Sequence, residues 1–359
     1  MSEKLGHHGQ HGATATHHHH TDSAKHSGEL SQEHDIERKH DESALGSDID
    51  LAAQFVDNNH VAVVSPEEER RVLRRVDLFL IPVLFITFAF QYMDKACLTG
   101  AALFGILNDL ELTFAEVNGR SVVINTSRYS YASLIFYWGY LLGLIPGVYM
   151  SQRFPLGKYV ATVIFLWGGV TMCTGAVTNY AGLMVQRFFL GFSEAGIAPA
   201  FSLITAMWYK SFEQPLRYAI WYSAVGMGTL LGTLVLYAIG QISGPLAPWK
   251  YQFLIIGAAS SAWGIAVWFL LPDSPMTAYF LTPEQRIVAV ERMRYEQTGI
   301  ENKTVKSAQI KEAFADPKTW LFVGITFLSN FTNGAVTGFG SIIVKSFGVC
   351  LPLSPVSCK

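Results

Sequence analysis

Charge is what this 359-residue sequence has least of: Asp, Glu, Lys and Arg make up 15% of it, against 50% hydrophobic residues. Most of that charge lies in a polar start and in one late segment, so the long apolar blocks are nearly empty of it. A mean hydropathy of +0.27 despite such a start excludes a single soluble core and points to an integral membrane protein. Histidine is missing from the apolar blocks, because all eleven lie between His7 and His60. Any proton relay in the membrane part must therefore use carboxylates. The four cysteines (Cys97, Cys173, Cys350 and Cys358) form no CxxC and no pairing pattern, which argues against a disulfide framework or a metal cluster. The first 60 residues contain no apolar run, so no cleavable signal peptide is expected and the first membrane helix is itself the targeting signal. With a net charge of −2 and no catalytic or cofactor motif, neither nucleic-acid binding nor enzyme activity is indicated.

What is present begins with residues 1–75, a tail rich in His, Ser, Asp and Glu that cannot bury enough surface to fold and is expected to be disordered. Its run His17 to His20 could bind a transition metal weakly, or be an unselected low-complexity run. Arg70, Arg71, Arg74 and Arg75 then precede seven apolar blocks: Val76–Cys97, Tyr129–Met150, Tyr159–Val177, Gly182–Trp208, Tyr218–Gly240, Tyr251–Leu271 and Trp320–Val344. The reading is an all-α membrane protein, with six helices in residues 76–271, a central loop over 272–319, a seventh helix at 320–345 and a short tail at 346–359. In the central loop, Thr282-Pro283-Glu284 signals a helix start. Ile287, Val290 and Met293 follow at three-residue spacing, fitting an amphipathic helix on the membrane face or a solvated one.

The fourth block carries the least expected residues. In LMVQRFFLGFSEAGIAPAFSLITAMWY (183–209), Arg187 and Glu194 stand seven positions apart. Seven positions is close to two turns, about 10 Å, so both leave the same face with Gly191 between them. A charge at mid-bilayer costs about 2.5–3.5 kcal/mol on insertion scales, so that stripe must face protein or a watery cavity. It reads either as a structural ion pair or as part of an ion or substrate path. The first block ends in a second acid–base pair, Asp94-Lys95, deep or snorkelling. Gly226, Gly228 and Gly232 form a small-residue face suited to close packing, and Asn330 and Asn333 stand one turn apart, where amides could bind a ligand or another helix.

Four stretches together resemble the anion:cation symporters of the major facilitator superfamily, in particular the fungal allantoate-permease-like group. They are RRVDLFLIPVLFITFAFQYMDKACL (74–98), IFYWGYLLGLIPG (135–147), RFFLGFSEAG (187–196) and LLPDSP (270–275). The resemblance implies two six-helix bundles that rock about a central site. This chain would supply the first bundle and the first helix of the second. It also implies that Asp94, Lys95, Arg187 and Glu194 face the cavity. On that reading Arg187 and Lys95 bind the substrate, with Asn330 and Asn333 as further candidates, and Glu194 and Asp94 couple the proton. The proton is the coupling ion and no cofactor is implied. Lys95 replaces the family's usual arginine, and SQRFPLGKY (151–159) lacks the superfamily's aspartate. FAEVNGRSVVINTSR (114–128) lengthens the first outer loop, as a real loop or an insertion. Because a member has twelve spans, the chain is expected to be cut short after the seventh, with its second half, or a full-length partner, missing.

The expected activity is import of a small organic anion, of the allantoate, ureidosuccinate or vitamin carboxylate class, with protons across the plasma membrane. The alternatives are a seven-helix receptor, or a truncated fragment that transports nothing and acts only in assembly. Charge placement speaks against the receptor. Arg153, Lys158, Lys210, Arg217 and the basic 277–318 segment fall on the side of Arg70–Arg75, which places the N-terminus in the cytoplasm. Asn125-Thr126-Ser127 should then carry a glycan when the chain is expressed in glycosylating membranes, and Asn302-Lys303-Thr304 should stay bare. A glycan on Asn302 would reverse this topology.

Overall fold

A computed structural model of the chain describes residues 65–118, 121–294 and 307–330. The His-rich tail up to residue 64, Asn302, Asn333, most of the seventh apolar block and residues 346–359 lie outside the described residues. Among the described residues, six helices or helix pairs are long and apolar enough to cross a membrane: Pro66–Leu103, Ser127–Arg153, Leu156–Ala176, Tyr180–Trp208, Gln214–Gly240 and Pro248–Leu270. We label α1 Pro66–Leu103, α2 Ser127–Arg153, α3 Leu156–Cys173, α4 Tyr180–Glu194, α5 Ile197–Trp208, α6 Gln214–Tyr222, α7 Ala224–Gly240, α8 Pro248–Leu270, α9 Pro283–Arg294 and α10 Ser307–Ala315. The fold is helical, as the sequence implies, apart from one antiparallel hairpin. Its strands, β1 (Phe114–Asn118) and β2 (Ser121–Asn125), pair Phe114 with Asn125 and fill the lengthened first loop. Residues 317–330, the start of the expected seventh helix, are helical and exposed apart from the half-buried Thr319.

Local chemistry explains where the helices begin. Ser65 caps α1 by accepting from the Glu67 amide at 3.4 Å, with Pro66 in the first turn, where its missing N–H costs nothing. Asn179 caps α4 through the Gly182 amide at 2.7 Å. Thr282 and Gln285 cap α9 reciprocally, each accepting the other's backbone N–H at 3.3 Å. The start of α3 has no such cap of its own: the Lys158 amide donates instead to Asp273 of LLPDSP at 3.2 Å. The carboxylate absent from the 151–159 loop is thus supplied from beyond α8.

Packing runs in pairs, α3 along α8, α2 along α4, and α1 along α7 and α8. Close approach of α2 and α4 depends on glycine. A Cβ added at Gly139 would collide with the Phe188 carbonyl oxygen, and one at Gly191 with the Phe136 carbonyl oxygen. Gly228 and Gly232 similarly meet Ala89 and Met93 of α1, whereas Gly226 has open space beside it and takes no part in that contact. The helix over 283–294 packs one face against the bundle. Ala289, Val290 and Met293 are buried in the same core as Val72, Val76 and Leu80 of α1. Arg292 is buried as well, and its Nη2 donates to both Glu213 oxygens at 2.6 and 2.8 Å while Nε reaches Glu69 at 3.4 Å. Lys210 pairs with Glu69, and Arg217 grips Asp77 with bonds of 3.2 and 2.8 Å. We refer to this end, which also holds Arg153 and Lys158, as the basic end of the bundle.

The glycine contacts yield a direct comparison. Gly191→Ala must push α2 and α4 apart and should lower the stability of the purified chain by about 1–3 kcal/mol, as overpacking does. Gly226→Ala, with nothing near its new methyl group, should leave the thermal unfolding midpoint unchanged or slightly raised. Equal midpoints for the two variants would contradict the close approach.

Candidate functional site

Neither acid–base pair suggested by the sequence forms as written: Lys95 pairs with Glu194, while Asp94 and Arg187 are in no ion pair among the described residues. Adjacent residues on a helix point about 100° apart, so Asp94 and Lys95 of α1 turn to different neighbours. Lys95 faces α4, where its Nζ lies 3.0 Å from Glu194 Oε1. Three aromatic rings surround the ammonium: Tyr92 at 4.7 Å, and Phe136 and Tyr140 of α2 each at 5.9 Å from their centroids. These α2 rings are brought in by the same glycine contact, since Gly191 sits against Phe136 and Tyr140. Lys95 keeps 27% of its side chain exposed, while Glu194 is wholly buried. Neither oxygen of Glu194 accepts a hydrogen bond from any other described residue.

Asp94 points the other way, into the bundle. Its Oδ2 accepts from Trp167 Nε1 at 3.0 Å and Thr171 Oγ at 3.1 Å, both on α3. Its Oδ1 is buried with no hydrogen-bond partner among the described residues. Because Asp94 is buried, it is not an interfacial snorkelling residue. Arg187 of α4 is 3% exposed, and its guanidinium lies over the Phe253 ring of α8 at 5.5 Å. Its Nε and Nη2 have no hydrogen-bond partner and it makes no ion pair among the described residues. The quartet therefore has two levels. Lys95 and Glu194 form a closed pair at an exposed edge, and Asp94 and Arg187 lie deeper, each with an uncommitted atom.

Sequence reasoning placed Arg187 and Glu194 on one buried face, and both are buried. It missed Trp167, Thr171, Tyr92, Phe136, Tyr140 and Phe253. Trp167 was the one with a readable signal, because a tryptophan within an apolar span brings an N–H that needs an acceptor. Asn330 donates to the Thr326 carbonyl of its own helix at 2.9 Å and is exposed, and the structure brings it to none of the quartet. A separate cavity of 740 Å³ between α3 and α4, lined by residues including Cys173, Asn179 and Phe189, contains none of the four charges.

With this geometry in view, comparison with known proteins identifies the family. Residues 84–356 match the Major Facilitator Superfamily. The chain belongs to that superfamily. It is 37% identical over 302 residues to an uncharacterized transporter of Schizosaccharomyces pombe, covering 84% of this chain and 54% of that protein. It is 32% identical to the allantoate permease of Saccharomyces cerevisiae, covering 84% of this chain and 54% of the permease. With a thiamine pathway transporter of the same yeast it shares 33% identity, over 86% of this chain and 56% of that one. The chain thus spans about half the length of the curated relatives it matches. Among solved structures, a bacterial homologue of the human lysosomal transporter Spinster, inward-facing and unoccupied, aligns with a TM-score of 0.51 at 18% identity. That alignment covers 77% of this chain and 56% of the other, and supports the fold. These relatives are transporters and permeases by name, which sets aside both an enzyme and the seven-helix receptor. The fold is that of the major facilitator superfamily, and the chain is an integral membrane protein.

The crossed pairing predicts a non-additive pair of variants. Lys95→Met alone strands the buried Glu194 carboxylate and should destabilise the chain by about 3–5 kcal/mol, as breaking a buried ion pair does. Adding Glu194→Gln should recover most of that loss. Additive losses in a thermal or denaturant assay would show that the two side chains do not interact.

Proposed function

We propose that the chain forms one bundle of a proton-coupled carrier that imports a small organic anion, with the Lys95–Glu194 pair as the coupling element. The observation that carries this reading is the 3.0 Å pair itself, with a partly exposed ammonium and a fully buried carboxylate. One ammonium has two candidate partners, Glu194 and an arriving substrate carboxylate. They compete. A proton on Glu194 releases Lys95 for the substrate, and loss of that proton returns Lys95 to Glu194 and expels the anion. Lys95, Glu194, Asp94 and Arg187 sum to zero when ionised. A monoanion and a proton entering together keep the site neutral, whereas the anion alone adds a repulsion of about 4 kcal/mol at 4 Å and an effective dielectric near 20.

Arg187 and Asp94 serve this exchange from the interior. Arg187 is the uncommitted cation behind Lys95 and is the second anion ligand once the cavity widens, its planar fork suited to a carboxylate. Asp94 is the reserve carboxylate for a proton, since no cation among the described residues lies within ion-pair distance of it. Asn330 and Asn333 remain candidate ligands from the second bundle. The names of the yeast relatives support an allantoate-like or vitamin-carboxylate substrate, and the basic residues support a cytoplasmic N-terminus at the plasma membrane. Alternating access would rock this bundle against a second one, supplied by a further part of the protein or by a partner chain.

Uptake of labelled allantoate into proteoliposomes holding this chain, alone and with a full-length relative, separates a carrier from a fragment that acts only in assembly. In the transporting form, Glu194→Gln should abolish accumulation driven by a proton gradient while sparing exchange of anion across the membrane. Retained gradient-driven accumulation in a well-expressed Glu194→Gln protein would rule out this role for Glu194 and pass it to Asp94.

A further inference from the structure

We propose that Arg70, Arg71 and Arg74, on the outward face of the second and third turns of α1, form a docking site for the phosphate groups of anionic phospholipids in the leaflet at the basic end. Helix α1 is 38 residues long, about 57 Å at 1.5 Å per residue, against a hydrocarbon layer of about 30 Å. Its first turns therefore stand at headgroup level or beyond. Arg70 and Arg74 are four residues apart with Arg71 beside them, so the three share one face of the helix. Val72, Val76 and Leu80, at the same spacing, are buried on the opposite face against the bundle.

The same outward face then changes character at the right depth. One turn beyond Arg74 stands Leu78, 82% exposed, a large apolar side chain with nothing of this bundle covering it. A guanidinium turn followed within about 6 Å by an uncovered leucine is the sequence of environments from phosphate to acyl chain. The first-turn acids Glu67 and Glu68 lie farther out, where the helix N-terminus favours negative charge.

Arg153 at the end of α2 and Lys158 in α3 are exposed cations of this end too, but the three arginines are the ones that cluster on one helix face, whereas others are engaged. Lys210, Arg217 and Arg292 are neutralised by Glu69, Asp77 and Glu213, and Arg75 donates to Gln285 of α9 at 2.8 Å. Arg70, Arg71 and Arg74 are exposed and make no ion pair or hydrogen bond with any described residue. Basic residues just outside the first membrane helix attract anionic lipid by about 1 kcal/mol each. The competing occupant is within the chain itself, because residues 29–57 hold nine acids against Arg38 and Lys39.

The test compares the full chain, reconstituted in vesicles of phosphatidylcholine and phosphatidylserine, with Arg70→Gln/Arg71→Gln/Arg74→Gln and with the corresponding triple lysine variant. After purification, the ratio of retained phosphatidylserine to phosphatidylcholine is read by native mass spectrometry. We expect enrichment of phosphatidylserine in the wild type to fall about fivefold for each arginine removed, to persist in the lysine variant and to weaken with salt. The altered side chains are exposed, so an unchanged elution profile certifies the fold. Equal enrichment in wild type and glutamine variant would overturn the proposal. So would enrichment that emerges only after residues 1–60 are deleted, which would make the acidic tail the occupant.

Discussion

Ionisable side chains in an apolar bundle have to balance one another, since an uncompensated charge at membrane depth costs several kcal/mol. Here the balance is made between helices. Lys95 of α1 neutralises Glu194 of α4, and α1 also carries Asp94 to the Trp167 and Thr171 donors of α3. Two spans, α3 and α4, are thus tied to one turn of α1. The arrangement needs α2 and α4 in backbone contact, because only then do Phe136 and Tyr140 reach the ammonium, and Gly139 and Gly191 make that contact sterically possible.

At the basic end the same principle serves a structural purpose. Arg292 is buried on a helix from the central loop and is matched by Glu213 and Glu69, so α9 is fastened to the start of α1 and to the turn before α6. The packing of Phe79 with Phe280, ring centroids 4.4 Å apart, adds an apolar contact beside it. These charges are all in ion pairs, although Arg292 Nη1 has no hydrogen-bond partner among the described residues; in the central quartet, Asp94 and Arg187 are in no ion pair at all among those residues. There, Asp94 Oδ1 and Arg187 Nε and Nη2 are left without partners among the described residues. Buried polar atoms without partners are expensive in a purely structural network, and they are what a transient anion or proton would satisfy.

Much of this was legible in the sequence. The spans follow from apolar runs, and the burial of Arg187 and Glu194 follows from the cost of exposing charge to lipid. Adjacency misled about pairing, because neighbours in a helix diverge and only tertiary packing reveals that Lys95 looks to α4 and Asp94 to α3. The role of α9 was hidden for a related reason. Ile287, Val290 and Met293 announce an amphipathic face, but a charged residue such as Arg292 reads as solvated until its two carboxylate partners, distant in sequence, are brought against it. The hairpin in the first loop was also invisible as structure: Phe114–Asn118 and Ser121–Asn125 were seen only as added length.

The central claim is that substrate and Glu194 exchange places on Lys95, with a proton on Glu194 whenever the anion is bound. Infrared difference spectroscopy of the purified transporting form, recorded on adding allantoate at constant pH, observes that proton directly. The account predicts a protonated carboxyl band that rises with bound anion, tracks its occupancy and is missing in Glu194→Gln. Anion binding with no such band, or with one that persists unchanged in Glu194→Gln, would contradict it.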